Sequence, residues 1–206
     1  MKPILVTYAS MAGSTAEVAR VVAQEIERSG RAVELRPLAD VTDVESYAGV
    51  VVGGPMIVGW RRGALGFVRR HRQAWRRVPL AVFVLAISLT DTAEREVDGL
   101  PIFVDAALPK LPAQPGRLSF RERYAQLHRY LRPILAAARP ARPVSVGVFG
   151  GRLEYGRLKW WAVLFAMGII RAPAGDRRNW DAIRAWAAGL PDLLVGEEEE
   201  PQMARI

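Results

Sequence analysis

The sequence predicts an α/β fold: a doubly wound, five-stranded parallel sheet of order 2-1-3-4-5, with insertions before and after the fifth strand. Three observations carry that expectation. Short Val/Ile/Leu-rich runs alternate with amphipathic helical patterns. Several of the runs are apolar at consecutive positions, as strands covered on both faces must be. A length of 206 residues suits one core with insertions better than two domains.

Taken in order, Lys2–Tyr8 read as a buried strand and Ser14–Ser29 as a helix. That helix carries Val18, Val21, Val22 and Ile26 on one stripe and Glu17, Gln24, Glu27 and Arg28 on the other. Gly30 ends it. Ala32–Pro37 and Ala48–Gly53 are the second and third strands, and Val50, Val51 and Val52 form a run buried from both sides. A helix is expected over Arg61–Trp75. Pro79–Ile87 and Pro143–Phe149 are the fourth and fifth strands, each opened by a proline that a strand tolerates at its start. Between them lies a segment punctuated by Gly99-Leu100-Pro101, Pro109, Pro112 and Pro115-Gly116, then a helix over about Ser119–Ala138. The last helix begins near Asn179, an N-cap residue, with Trp180, Ile183, Trp186, Ala187 and Leu190 at helical spacing. One domain over residues 1–196 is expected, with insertions at about 88–118 and 150–178. The tail over 197–206 contains four consecutive glutamates and is expected to be solvated and disordered.

Composition narrows the chemistry. Cysteine is absent, which removes disulfides, thiolate nucleophiles and iron–sulfur ligation, so redox work would need a bound organic cofactor. His71 and His128 are too few for a His-rich metal site, and no metal is expected. The chain runs from Met1 directly into an apolar strand, from which a cytoplasmic location is expected. A net charge of +8 attracts anions but does not choose among nucleic acid, anionic lipid and an acidic substrate.

In a 2-1-3-4-5 sheet the ligand crevice lies outside the carboxyl ends of strands one and three. The loop Ser10-Met11-Ala12-Gly13-Ser14-Thr15 joins strand to helix there and aims first-turn amides and the positive end of the helix dipole into the crevice. An anion belongs at that place. Ser10, Ser14 and Thr15 add hydroxyl donors, and Gly13 permits close approach of the backbone, a set suited to a phosphate held by hydrogen bonds. The alternative is a plain helix start capped by Ser14 or Thr15. A dinucleotide fingerprint is missing, since the loop has one glycine and strand two ends in Arg36-Pro37. A nucleotide-hydrolysing loop is disfavoured because no lysine follows Gly13. Phosphoacceptor chemistry would need carboxylates where Ala9 and Gly53-Gly54 stand.

Tyr8 to Thr15 resembles the phosphate loop of flavodoxins, and Gly53-Gly54-Pro55-Met56-Ile57-Val58-Gly59-Trp60 resembles their second, isoalloxazine-contacting loop. Gly150-Gly151-Arg152-Leu153-Glu154-Tyr155, followed by Lys159-Trp160-Trp161, is similar to the menaquinone-dependent protoporphyrinogen oxidase branch of that flavodoxin-like family. Ala12 departs from the polar residue usual in the phosphate loop, and Ser88–Leu118 is longer than the family pattern. The resemblance implies FMN as cofactor, with its phosphate on the Ser10–Thr15 loop, including Met11 and Ala12. It implies the flavin ring against Pro55, Met56, Ile57, Val58, Gly59 and Trp60 and against Ser88, Leu89 and Thr90. Trp60 is either a stacking aromatic or a half-exposed interface tryptophan. Arg152 and Arg157 are candidates for pairing with substrate carboxylates, and no catalytic acid or base is nominated. The implied partners are a small-molecule substrate such as a porphyrinogen and a quinone. Enzyme, electron carrier and non-catalytic flavin-binding module all remain open on these residues.

Arg61 and Arg62 follow the second loop, and one such charge at ~8 Å with an effective dielectric near 20 would favour an anionic reduced flavin by about 2 kcal/mol. Arg69, Arg70, Arg72, Arg76 and Arg77 fit a solvated helix face. No nucleic-acid partner is expected, because Phe67 and Trp75 sit where the core needs them. The apolar run Trp160–Ile170 would be about 16 Å long as a helix, well short of the ~30 Å hydrocarbon layer. With Arg157, Lys159 and Arg171 beside it, residues 157–171 could lie on an anionic membrane, pack into the core, or cover a second copy of the chain in a homodimer.

Overall fold

A computed structural model of the protein describes residues 2–10, 13–56, 62–114, 116–153 and 175–195. Met11, Ala12, Ile57 to Arg61, Arg157, the Trp160–Ile170 run and the acidic tail lie outside the described residues.

The chain builds β1 (Ile4–Tyr8), α1 (Ser14–Arg28), β2 (Val33–Pro37), β3 (Gly49–Met56), α2 (Arg62–Arg70) and β4 (Leu80–Ala86) in turn. β1 pairs in parallel with both β2 and β3, so that Val6 lies level with Leu35 on one side and Val51 on the other. Period-2 alternation then sorts the strand residues into two cores. Ile4, Val6, Val51, Phe83 and Leu85 face Val18, Val22 and Ile26 of α1 together with Ile183, Trp186 and Leu190. Leu5, Val50, Val52, Val82 and Val84 face Phe67 and Val68 of α2 together with Leu131 and Ile134. Each such side chain contributes roughly 1.5–3 kcal/mol by leaving water, which is why helices must cover both faces.

β4 is followed by β5 (Leu89–Thr90), β6 (Glu96–Val97), β7 (Leu100–Pro101), β8 (Phe103–Val104) and β9 (Pro109–Lys110). β6 and β7 form a hairpin whose turn residues Asp98 and Gly99 take φ of 52° and 75°, the paired left-handed geometry of a type I′ turn. α3 (Phe120–Tyr124), α4 (Leu127–Ala138) and β10 (Ser145–Gly150) come next. Among the described residues the main sheet has six strands in the order β2-β1-β3-β4-β10-β8. The expected 2-1-3-4-5 order is present with β10 as the fifth strand, and the correction is a sixth strand from within the first insertion. β8 pairs in parallel with β10 through Phe103 opposite Gly147 and Val104 opposite Val148. Two residues carry no periodicity, so only the pairing reveals this strand.

Four further boundaries differ from expectation. β3 continues to Met56, so Pro55 and Met56 are buried strand residues opposite Leu85 and Ala86 rather than loop residues. The Arg61–Trp75 helix is α2 followed by a short 3-10 turn at Ala74–Arg76, with Trp75 buried and its Nε1 donating to the Val68 carbonyl at 2.8 Å. The Ser119–Ala138 helix is two helices. The amide and hydroxyl of Thr90 donate to the carbonyls of Ala125 and Glu122, at 2.8 and 2.9 Å, and so engage acceptors that a continuous helix would use itself. At the end of the chain Trp180–Ala188 is a helix, and Leu190 opens a second one, Leu190–Val195, instead of continuing the first.

Candidate functional site at the carboxyl ends of the strands

Register places the strand ends in steps. Tyr8 is level with Gly53, Met56 with Ala86, and Ala86 with Gly150. The amide of Ala9 still donates to the Gly53 carbonyl at 2.9 Å, after which the chain leaves the sheet. Gly53 has no room for anything larger, because a Cβ there would sit 2.0 Å from Cζ of the buried Phe83. Close packing beneath the crevice therefore sets its floor.

α1 starts at Ser14 with Gly13 as its N-cap, at φ 91°. Glycine carries no side chain with which to close the helix end. The Ser10 hydroxyl accepts from the Gly13 amide at 3.0 Å, which fixes the turn and leaves the amides beyond Gly13 pointing out of the helix start. Ser10, Gly13 and Ser14 are half-buried and Thr15 is buried. The expected alternative, a helix capped by Ser14 or Thr15, is therefore not what forms. The donors suit a phosphate: an uncapped helix start, its dipole and neutral hydroxyls at the mouth of a doubly wound sheet.

On the other side of the crevice, Ser88, Leu89 and Thr90 fare differently from one another. Leu89 is buried in the core, and the polar groups of Thr90 are committed to α3 and the residues after it. Ser88 is half-buried, and its carbonyl accepts the Tyr130 hydroxyl at 2.9 Å. Burial raises Tyr130 to about 12, so the phenol stays a neutral donor throughout the working range.

Beyond β10 the chain forms β11 (Arg152–Leu153), which pairs antiparallel with β12 (Gly175–Asp176). The returning segment crosses the strand ends. Arg177 donates its amide to the Gly151 carbonyl at 3.1 Å and its guanidinium to the Ile87 carbonyl at 2.7 Å. A Cβ on Gly150 would fall 1.9 Å from the Arg177 carbonyl oxygen, so this crossing requires glycine. Arg178 is 3 % exposed, forks onto Asp176 at 2.6 and 2.8 Å, and reaches Glu17 of α1 at 2.6 Å. Its guanidinium also lies 4.5 Å from the centroid of the Trp180 ring. The hydrogen bond from Arg178 holds the Asp176 carboxyl below its ordinary range, and the same bond raises Arg178. Arg152, expected to meet a substrate carboxylate, stands 3.7 Å from Glu17 at the α1 end of this cluster. In the sequence Arg177 and Arg178 carry no local signal beyond preceding the Asn179 cap.

The arginines at the end of α2 and just after it take the bland role: Arg69, Arg70, Arg72, Arg76 and Arg77 are exposed, while Phe67 and Trp75 are in the core. Among the described residues no helix is long and apolar enough to cross a membrane.

The sequence model of the family described as "Flavodoxin domain" matches residues 5–179. No curated protein matches the chain. Similar solved structures include a flavodoxin from the domain Archaea at 10% identity and a TM-score of 0.47, over 94% of this chain and 99% of that one. A flavodoxin, WrbA-like protein from Agrobacterium tumefaciens is 13% identical with a TM-score of 0.45, over 94% and 98%. Rubredoxin oxygen:oxidoreductase from Desulfovibrio gigas is 14% identical with a TM-score of 0.46, over 94% of this chain; the match spans only 36% of that longer chain. With the family match covering most of its length, the chain belongs to the flavodoxin-domain family and is an FMN-binding domain.

Proposed function

We propose that this chain is an FMN-dependent oxidoreductase that passes electrons from a reduced organic substrate to a quinone, in the manner of menaquinone-dependent protoporphyrinogen oxidase. FMN, when bound, supplies both hydride-accepting and single-electron chemistry. The protein's share is binding and electrostatics. The α1 start and Ser10 hold the phosphate, and the bond from Tyr130 to the Ser88 carbonyl fixes the loop on the opposite wall.

The observation that carries the reading is Arg177. Its guanidinium is tied to the Ile87 carbonyl at 2.7 Å, which sets a positive charge beside the Ser88 loop. A fixed cation there favours added electron density on a nearby ring and makes the flavin a better acceptor. The resemblance of Gly150–Tyr155 and of Lys159-Trp160-Trp161 to the protoporphyrinogen oxidase branch supports a porphyrinogen as the substrate class. Residues 157–171 are the proposed contact with a membrane surface, where quinone is dissolved, and a homodimer is the competing use of that run.

Anaerobic protoporphyrinogen should bleach the yellow protein–FMN complex, and menaquinone should restore its colour. Bleaching by no organic donor, together with a very low flavin potential, would favour the second reading, an electron carrier, which membership of a flavodoxin family supports. Tight FMN with neither behaviour would leave a binding module.

A further inference from the structure

We propose that Arg178 is a positioning residue for cofactor selectivity: by neutralising Glu17 it lets the open start of α1 accept a doubly charged phosphate, and so sets the preference for FMN over riboflavin. The proposal rests on the FMN-binding assignment and adds a residue to it.

Glu17 sits one turn into α1, its amide donating to the Gly13 carbonyl at 3.1 Å. A carboxylate in a first turn is favoured by the helix dipole, but it competes with any other anion for the same positive end. Side chains on a helix also lean toward its N-terminus, which brings this carboxylate nearer the phosphate seat. An uncompensated Glu17 would therefore repel the ligand that the loop is shaped to hold.

Arg178 supplies the compensation from 161 residues away, at 2.6 Å from Glu17 Oε2. Its burial limits screening by salt. The fork onto Asp176 and the Trp180 ring fix the guanidinium plane, and its bonded donors keep it from turning to the ligand. It acts through Glu17. Arg152 lies 3.7 Å from the same oxygen, so among the described residues two guanidiniums, Arg152 and Arg178, stand with the carboxylates of Glu17 and Asp176. Without Arg178, Glu17 and Asp176 lose the guanidinium that bridges them.

The test measures dissociation constants of FMN and of riboflavin, by flavin fluorescence at low and high salt, on the full chain and on R178Q, E17Q and R178Q/E17Q. R178Q should weaken FMN about tenfold while leaving riboflavin within about twofold, with the gap narrowing at high salt. Adding E17Q should restore FMN binding. Equal weakening of both ligands, or no rescue, would reduce Arg178 to a structural role and overturn the proposal. Should R178Q fail to fold, E17Q alone decides: it should tighten FMN and leave riboflavin unchanged, and no change overturns the proposal. If the unaltered protein binds neither flavin, the FMN assignment itself fails.

Discussion

Two helix starts in this chain are built in opposite ways. At α3 the Ser119 hydroxyl accepts from the Glu122 amide at 3.3 Å, and the Glu122 carboxylate accepts from the Ser119 amide at 2.7 Å, a reciprocal box that closes both orphan donors. At α1 the capping position is Gly13, which has no side chain to close the end. The difference follows from what else supports each helix. α3 has five residues and no buried side chain, so its cap supplies much of its stability. α1 has fifteen residues and buries Thr15, Val18, Ala19, Val22, Ala23 and Ile26, enough packing to leave its first amides to a ligand.

The largest effect is expected beneath the open start. Gly53→Ala would drive a methyl into the Phe83 ring, and urea denaturation should show a loss of about 3 kcal/mol. A near-neutral result would mean that the crevice floor is soft and that α1 is not held open by packing. Next comes Gly13→Asp, which sets a carboxylate where the phosphate belongs; FMN titration should show binding weakened roughly a hundredfold. The matching change at the closed start, Ser119→Ala, should lower stability by about 1 kcal/mol in thermal melts and leave FMN affinity alone. Comparable loss of FMN from both variants would break the contrast.

The smallest effect is a pH dependence at the closed start. The Ala113 amide first, and then the groups of Ser119, hold the Glu122 carboxyl below its ordinary value of 4.5. Because the folded value is depressed, the ionised cap stabilises fully above 4.5 and loses its contribution as the pH falls through the folded value. Circular dichroism under acid should therefore show a small loss of helix that Glu122→Gln has already incurred at neutral pH. An acid profile unchanged by that substitution would place the sensitivity elsewhere.

Much of the fold was legible because its signals are local and repeated. The valine run Val50–Val52 and the stripe Val18, Val22, Ile26 each report their partners' faces through period alone. The turn into α1 was legible for a related reason: Gly13 between a strand and a helix leaves few structures to choose from. The break between α3 and α4 was not, since it depends on hydrogen bonds from Thr90, more than thirty positions back along the chain. Nor was β8, a strand only by virtue of its neighbour.

Sequence by itself determined the element alternation, the first five positions of the sheet and the glycine turn into α1, because hydrophobic period and turn chemistry act over a few neighbouring residues. Only the tertiary structure decided which charges meet at that loop. Arg178 finds Glu17 across 161 residues because β11 and β12 bring the returning chain back over the strand ends. Coulomb interactions depend on distance in space, and no local pattern in the sequence encodes that distance.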